Sequence, residues 1–227
     1  MKKIIAVLLS LLTLVLLVSC NVNITPSTGG SESGGSTGGD PIVEVTPETV
    51  TAQIASLLKD EYTKTKITVT TDSGDITLKN EFEITKSQAG ATVVSYVVRK
   101  ANKITFDEDN NPVIPSSQYQ ETIGTVEIDD DKNVTLKDGD AVDIDFSNLS
   151  NVNFNLEVSN FTDLLVSDVK LTANVKSAAT LLNADGVVAK DCTISVYYAW
   201  GEAVKNVKIN YVLTSGDTVK IVYVFTK

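Results

Sequence analysis

The sequence predicts a mainly β domain of the α+β class, a long curved antiparallel sheet or half-barrel meander with an N-terminal amphipathic helix packed on it. Three observations lead to this prediction. Apolar and polar residues alternate through several runs, which is the period of a half-buried strand. Turn-forming pairs such as Asp-Gly and Ser-Gly separate those runs. One segment near residue 50 has instead the apolar spacing of a helix.

The helix is predicted to begin at Pro47. Thr46 is a good N-cap residue, Pro47 suits the first helical position because its missing N–H is not needed there, and Glu48 favours the positive end of the helix dipole. Apolar residues then recur at helical spacing, at Val50, Ile54, Leu57 and Leu58. The helix therefore has one apolar face, which we expect to pack on the sheet.

Six runs with period-two alternation follow the helix and predict a meander of strands. They lie around residues 67–70, 76–84, 93–98, 126–128, 134–136 and 142–146. Turns rich in Asp, Asn and Gly separate neighbouring runs, at residues 72–75, 129–133 and 138–139. A short helix is predicted between Ser177 and Ala184, ending near Gly186.

Three longer strands are predicted at the C-terminal end, with apolar residues at alternate positions from Cys192, Val207 and Val219 onward. Turns around 201–202 and 215–217 join them. Their aromatic residues fall on one face, which is the candidate face for an apolar ligand: Tyr198, Trp200, Tyr211, Tyr223 and Phe225. Such a face lines either a packed core or a lipid-sized cavity, and packing is its ordinary role.

The first residues have the plan of a secretory signal. Met1-Lys2-Lys3 is basic, and the apolar run from Ile4 to Val18 is too short to span a membrane comfortably. The run ends in Leu17-Val18-Ser19-Cys20, which resembles the lipobox of bacterial lipoproteins. This resemblance implies cleavage before Cys20 and a diacylglycerol on its sulfur. The alternatives are an ordinary secretory signal with a chance cysteine and an uncleaved anchor.

The chain is thereby divided into three parts. Residues 1–19 are the predicted signal peptide, and residues 20–45 are the lipidated cysteine with a flexible stalk rich in Gly, Ser and Thr. Residues 46–227 are long enough for a single β-rich extracytoplasmic domain with a real core. The expected location is the cell membrane or the outer membrane, with the domain facing the extracytoplasmic side.

Composition excludes several classes of function. The chain has 19 basic and 29 acidic residues, so its net charge of −10 argues against nucleic acid as a partner. It has no histidine, which removes the usual general base and the commonest zinc ligand. The Ser56-x-x-Lys59 spacing of penicillin-recognising enzymes lacks the other motifs of that family. Since Cys20 is the anchor, Cys192 has no intrachain partner and is predicted to be a buried, inert thiol.

Two acidic segments invite a calcium interpretation. Asp107, Asp109 and Asn111 stand at alternate positions, as do Asp129, Asp131 and Asn133. Both segments lack the glycine and the closing glutamate of a calcium-binding loop, and solvated turns explain the same residues. No cofactor and no metal are therefore predicted.

The best function hypothesis from sequence is a membrane-anchored, non-catalytic binding module for an apolar or lipid-like ligand. The plan of signal, anchor, helix and meander resembles, in architecture rather than in any residue motif, the half-barrel lipoproteins that carry lipids or other lipoproteins across the envelope. The alternative is a surface-display or protein-interaction domain with a solid core and an envelope protein as its partner. A carboxylate-based enzyme is a distant third hypothesis, because nothing selects two of the many Asp and Glu residues.

Overall fold

A computed structural model describes residues 46–106, 108, 112–113, 119–146, 149, 154–184 and 187–227. The predicted signal peptide at 1–19, the lipobox Leu17-Val18-Ser19-Cys20 and the stalk at 20–45 lie outside the described residues. The same is true of Asp107, Asp109 and Asn111, which form the first calcium-like segment.

The described residues form twelve strands. In chain order they are β1 (Lys64–Asp72), β2 (Ile76–Lys86), β3 (Thr92–Asn102), β4 (Thr105–Phe106), β5 (Pro112–Val113), β6 (Tyr119–Ile128), β7 (Val134–Gly139), β8 (Phe161–Val166), β9 (Lys170–Val175), β10 (Ala189–Ala199), β11 (Ala203–Leu213) and β12 (Thr218–Thr226). All but β4 and β5 belong to one antiparallel sheet, while β4 and β5 pair only with each other. The predicted fold class, mainly β with a long curved antiparallel meander, is confirmed.

The sheet has two arms that meet at its centre. Its strand order is β7-β6-β3-β2-β1-β12-β11-β10-β9-β8. We call β1, β2, β3, β6 and β7 the N-terminal arm, and β8 to β12 the C-terminal arm. The first strand pairs with the last, with Ile67 of β1 opposite Tyr223 of β12. The chain therefore reaches one edge at β7 and resumes at the opposite edge with β8.

Among the described residues, two short α-helices accompany the sheet at the places predicted. Helix α1 (Pro47–Leu57) is capped by Thr46, whose hydroxyl accepts the Thr49 N–H at 3.3 Å while the Thr49 hydroxyl oxygen accepts the Thr46 N–H at 3.0 Å. Its apolar face is buried and contacts β8 and β11. Helix α2 (Ala178–Leu182) is capped by Ser177 and contacts β10.

One face of the sheet is buried in both arms, and we call it the inner face. In β2 the buried residues are Asn80, Phe82 and Ile84, and the strands of both arms continue the same alternation. The opposite face, which we call the outer face, carries the residues between them. Because side chains alternate with period two, the residues of the outer face can be assigned from the register alone.

The structure differs from the sequence-based prediction at the run 142–146 and in strands that no predicted run covers, namely β4, β5, β8 and β9. The run 142–146 was expected to be a strand, but its residues pair with no strand. Phe146 instead packs on the inner face, against Phe82 and Tyr96. Strands β8 and β9 were not predicted at all. They complete the C-terminal arm, and β8 is irregular because its pairing with β9 shifts register between Thr162 and Leu165.

Candidate functional site

Four of the five aromatic residues predicted to share one face do lie on the inner face of the C-terminal arm. Tyr198, Tyr211, Tyr223 and Phe225 are 3%, 2%, 8% and 7% exposed. Trp200 follows the end of β10 and lies in the turn to β11, half-buried, with its ring centroid 6.2 Å from that of Tyr198. The structure therefore brings together four of these residues in the strands and leaves Trp200 at the rim.

This aromatic surface is covered by other side chains. Phe154, from the segment before β8, meets the Tyr223 ring edge to face with centroids 5.1 Å apart. Tyr62, between α1 and β1, lies with its ring centroid 4.9 Å from that of Phe225. Both distances are those of favourable aromatic pairs. The candidate ligand face is thus packed over Tyr223, and Tyr62 covers part of Phe225.

The core beneath this cover contains polar groups with perturbed acidity. Burial raises the pKa of the Tyr223 hydroxyl, and burial together with Tyr223 and Cys192 raises the pKa of Tyr211, in both cases well above the ordinary value. Among the described residues the Tyr211 hydroxyl has no hydrogen-bond partner. Burial also raises the pKa of the Cys192 thiol to about 11, so it stays protonated near neutral pH. The predicted burial of Cys192 is confirmed.

The inner face of the N-terminal arm is organised around Tyr96. Its ring lies 5.0 Å from that of Phe146, and its hydroxyl donates a hydrogen bond to the Asp140 carbonyl. The ring crosses β6 at Gly124, where an added Cβ would overlap the Tyr96 hydroxyl. The absence of a side chain at Gly124 is therefore what allows Tyr96 to reach the segment after β7.

A pocket opens at the end of the inner face, where α1 leads into β1. We call it the rim pocket, and its volume is about 390 Å³. Its lining comes from the segment after α1 and from β1, β2, β3 and β12, and consists of Leu58, Asp60, Glu61, Tyr62, Thr65, Ile84, Thr85, Lys86, Thr92 and Phe225. The volume lies within the range of small-molecule sites, toward its lower end.

The rim pocket combines apolar walls with polar groups, several of which are bonded within the protein. Lys86 Nζ donates to Thr92 Oγ1 at 3.0 Å, and Asp60 pairs with Lys227 at 2.8 Å. The Tyr62 hydroxyl donates to the Leu57 carbonyl at 2.9 Å and accepts the Val204 N–H at 3.1 Å, and burial raises its pKa. These bonds occupy part of the polar lining, and Leu58, Ile84 and Phe225 supply apolar walls for a ligand.

Sequence analysis did not identify this pocket. Of the five aromatic residues it proposed, Phe225 lines the pocket and the other four do not. The sequence places Phe225 on an apolar face and Ile84 in a predicted strand, but their meeting with Leu58 depends on the pairing of β1 with both β2 and β12. No local pattern in the sequence signals that arrangement.

The described residues hold no group of three or more His, Cys, Asp or Glu side chains placed to bind a metal ion. In the second calcium-like segment, the Asp129 carboxylate accepts the Asn133 backbone N–H at 2.8 Å and the Asn133 side-chain amide at 2.9 Å. These hydrogen bonds lower the pKa of Asp129. The Asp129 side chain thus closes the turn between β6 and β7, as the interpretation of this segment as a solvated turn requires.

Comparison with known proteins adds little. No protein family and no curated protein matches the chain. Among solved structures, it is similar to one described as an outer membrane lipoprotein-sorting protein domain from Vibrio parahaemolyticus, with 8% sequence identity and a TM-score of 0.23, over 79% of this chain and 93% of that one. A TM-score this low carries no argument. In the part of the chain that is described, no helix is long and apolar enough to cross a membrane.

Proposed function

We propose that this protein is a lipid-anchored, non-catalytic binding module of the cell envelope, and that its domain takes an apolar or lipid-like ligand into the rim pocket. The observation that carries the proposal is the pocket itself, with Leu58, Ile84 and Phe225 on its walls and with Lys86 and Asp60 each bonded to another side chain of the protein. Such a site favours a ligand that gains binding free energy mainly by burying apolar surface.

The ligand site proposed here is smaller than the aromatic face suggested by sequence. Tyr198, Tyr211 and Tyr223 do not line the pocket, and Phe154 packs on the Tyr223 ring, so a ligand in contact with that ring would have to displace a packed side chain. Phe225 joins the two regions, since its ring stacks on that of Tyr223 with centroids 6.3 Å apart and also lines the pocket. A ligand of modest size resting on Phe225 is therefore what the geometry favours.

Titration with dodecanoate tests the proposal. The protein is produced without residues 1–20, which leaves every described element in place, and binding is followed by native mass spectrometry and calorimetry. We expect one dodecanoate per protein. Burying a leucine contributes about 1.5–3 kcal/mol, so Leu58→Gln should weaken binding by roughly ten- to a hundredfold.

Val188→Gln is the matched control, because Val188 is 62% exposed and does not line the pocket. Its affinity for dodecanoate should equal that of the unmodified protein. Both variants should keep the circular dichroism of the parent. Absence of any stoichiometric binding, or equal loss in the two variants, would contradict the rim pocket as the ligand site. Trp200 does not line the pocket, so its fluorescence is not expected to report binding there.

The anchor is a separate part of the proposal and has its own test. If Cys20 carries the lipid, the Cys20→Ser variant should lose labelling by radioactive palmitate and accumulate as unprocessed precursor. Two or more acyl chains hold a protein on a membrane essentially permanently. Processed Cys20→Ser protein that still sediments with membranes through high salt would show that something other than Cys20 attaches the chain.

A display or protein-interaction domain with a solid core is the second candidate. The observation in its favour is the dense cover over the inner face, where Phe154 packs on Tyr223 and Phe146 packs on Tyr96. Under this function dodecanoate would not bind, and the protein purified from cells would carry no lipid in native mass spectra.

A further inference from the structure

The outer face of the C-terminal arm carries three lysines that point away from the core. Lys208 stands between buried Val207 and Ile209 on β11, and Lys220 stands between buried Val219 and Ile221 on β12. Lys170 precedes buried Leu171 on β9. Because side chains alternate across a strand, all three ammonium groups project from the outer face. We call this surface the lysine face.

These three lysines have no carboxylate partner within 4.0 Å among the described residues, whereas the cations on the outer face of the N-terminal arm do. Strands β8 to β12 contain five lysines and two acidic residues, Asp191 near the start of β10 and Asp163 on β8, whose carboxylate accepts a hydrogen bond from the Asn174 side chain at 2.8 Å. The chain as a whole has a net charge of −10. A cationic surface left uncompensated in an acidic protein has the charge that attracts an anionic partner.

Two of the ammonium groups converge on one aromatic ring. Lys170 Nζ lies 5.1 Å and Lys208 Nζ lies 5.6 Å from the centroid of Tyr197, the β10 residue between them. Each contact is a cation–π interaction, which holds the lysine in place without neutralising its charge. The like charges therefore stay together near Tyr197, and an anion bound there would relieve their repulsion.

The strand register arranges the lysines in a line. Lys170 of β9 is directly opposite Tyr197 of β10. Lys208, two strands from Lys170 on β11, is opposite Ser195 of β10, and Lys220 on the adjacent strand β12 is opposite Asn210 of β11. With strands about 4.8 Å apart and about 6.8 Å between alternate residues, successive lysine positions are roughly 12 Å and 8 Å apart. Lys170 and Lys208 both contact Tyr197, so their ammonium groups come closer together than these backbone positions, while Lys220 stands one strand beyond Lys208. The three lysines therefore form two positively charged points on the face, which suits a chain that bears charge at intervals.

Uncharged hydrogen-bonding groups fill the spaces between the lysines. Thr172, Ser195, Asn206 and Asn210 occupy neighbouring positions on the same face. Hydroxyl and amide groups beside an aromatic ring suit a sugar chain, which offers hydroxyl groups along its whole length.

From this charge, spacing and polarity we propose that the lysine face binds an anionic polysaccharide, a sugar polymer with carboxylate or phosphate groups. The carboxylates or phosphates pair with Lys170, Lys208 and Lys220, and the sugar hydroxyls bond to the Ser, Thr and Asn side chains between them. This site lies on the opposite side of the sheet from the rim pocket and does not depend on it.

Binding to immobilised polygalacturonate tests the proposal, again with the protein lacking residues 1–20. Methyl-esterified polygalacturonate, which has the same backbone without charge, is the control surface. We expect retention on the charged polymer alone, and loss of retention in 1 M salt, where the screening length falls to about 3 Å. Monomeric galacturonate should not compete, because a single anion cannot engage the whole line of lysines.

Two triple variants that change the net charge equally distinguish binding at the lysine face from a general effect of net charge. Lys170→Gln, Lys208→Gln and Lys220→Gln together should weaken binding by about tenfold or more. Lys64→Gln, Lys66→Gln and Lys79→Gln remove three cations that are already paired with Glu83 or Glu81 on the other arm, and should change affinity by less than about twofold.

Three results would each overturn the proposal. One is no retention on polygalacturonate at low salt. Another is equal loss of retention in the two triple variants, which would reduce the effect to net charge. The third is binding to phosphatidylglycerol vesicles, but not to the polymer, that depends on Lys170, Lys208 and Lys220, which would make the lysine face a membrane-contacting surface instead.

Discussion

The two arms of the sheet have the same alternation of side chains but differ in the ion pairing on their outer faces. In the N-terminal arm, ion pairs run across neighbouring strands: Glu83 pairs with Lys64 and Lys66, and Arg99 bridges Glu81 and Glu121. In the C-terminal arm the lysines of the outer face have no such partners in the described part of the chain. A solvated sheet face tolerates both arrangements, since an exposed ion pair contributes little to stability. The unpaired arrangement is therefore open to a role in binding.

The arms also differ in how they satisfy a buried tyrosine. Tyr96 in the N-terminal arm is 1% exposed and donates its hydroxyl to the Asp140 carbonyl. Tyr211 in the C-terminal arm is 2% exposed, and its hydroxyl has no partner among the described residues. The buried tyrosine hydroxyl stabilises the fold in one arm and destabilises it in the other. A buried polar atom without a hydrogen bond loses its hydration and gains no bond to compensate.

The largest difference in unfolding free energy between matched variants of the two arms should come from their aromatic residues. Phe82 is 2% exposed and packs against Phe146, so Phe82→Ala should lower the free energy of unfolding by about 3–5 kcal/mol. Trp200 is half-buried in a turn, and Trp200→Ala should cost only about 1–2 kcal/mol. Urea unfolding measures both. Equal costs would mean that Trp200 is as well packed as the core of the N-terminal arm.

The tyrosines should respond in opposite directions to the same change. Tyr96→Phe removes a hydrogen-bonded hydroxyl and should destabilise the protein by about 1 kcal/mol. Tyr211→Phe removes a hydroxyl without a partner and should stabilise it by about 1 kcal/mol or more. The two variants compared by urea unfolding control for each other. A loss of stability in Tyr211→Phe would reveal that its hydroxyl is bonded after all.

As the pH falls, the N-terminal arm should lose stability before the C-terminal arm does. Hydrogen bonds from Lys64 and Lys66 lower the pKa of Glu83, and Arg99 and Tyr119 lower the pKa of Glu121. A carboxyl whose pKa is lower in the folded state stabilises the fold above its unfolded pKa of about 4.3, and this stabilisation is lost as pH falls through the lower, folded value. The Glu83 and Glu121 side chains are 36% and 33% exposed, so solvent screens their ion pairs and the effect on stability is small.

Hydrogen exchange, measured near neutral pH and then below about pH 4, resolves the two arms. We expect β2, β3 and β6 to lose protection on acidification before β10 and β11 do. Glu83→Gln combined with Glu121→Gln should remove most of this pH dependence. Uniform loss of protection across all ten strands of the sheet would show that the ion pairs do not distinguish the arms.

The smallest effect on stability is expected from the lysine face. Lys170→Gln with Lys208→Gln removes two cation–π contacts with Tyr197 and also the repulsion between the two charges, so the free energy of unfolding should change by less than about 0.5 kcal/mol. Thermal unfolding of the variant, compared with that of Lys64→Gln with Lys66→Gln, measures this. A large loss of stability would mean that these lysines serve the fold rather than a ligand.

Much of the local structure was predictable from sequence. Thr46 and Pro47 marked the start of α1, and the Asp-rich segment at 129–133 marked a turn. Period-two alternation identified most strands of the sheet and placed Tyr211 and Tyr223 on one face. These features depend on neighbours within a few residues, so backbone sterics and local hydrogen bonds suffice to determine them.

The failures have a common physical cause. The run at 142–146 alternates like a strand, but a strand needs a neighbour to take up its N–H and C=O groups, and Phe146 packs across the inner face instead. In β8 the register shift interrupts the alternation, so its sequence does not look like a strand. Whether a run of residues becomes a strand therefore depends on partners that are distant along the chain.

The sequence by itself determined which segments favour strands and helices, which side chains share a face, and the acidic balance of the chain. The tertiary structure decided that β1 pairs with β12, that Phe154 and Phe146 cover the inner face, and that Leu58, Ile84 and Phe225 surround the rim pocket. It also decided which lysines find carboxylates and which do not. The physical reason is that alternation places a side chain above or below the sheet, while its neighbours are set by the order and register of strands that are far apart in sequence.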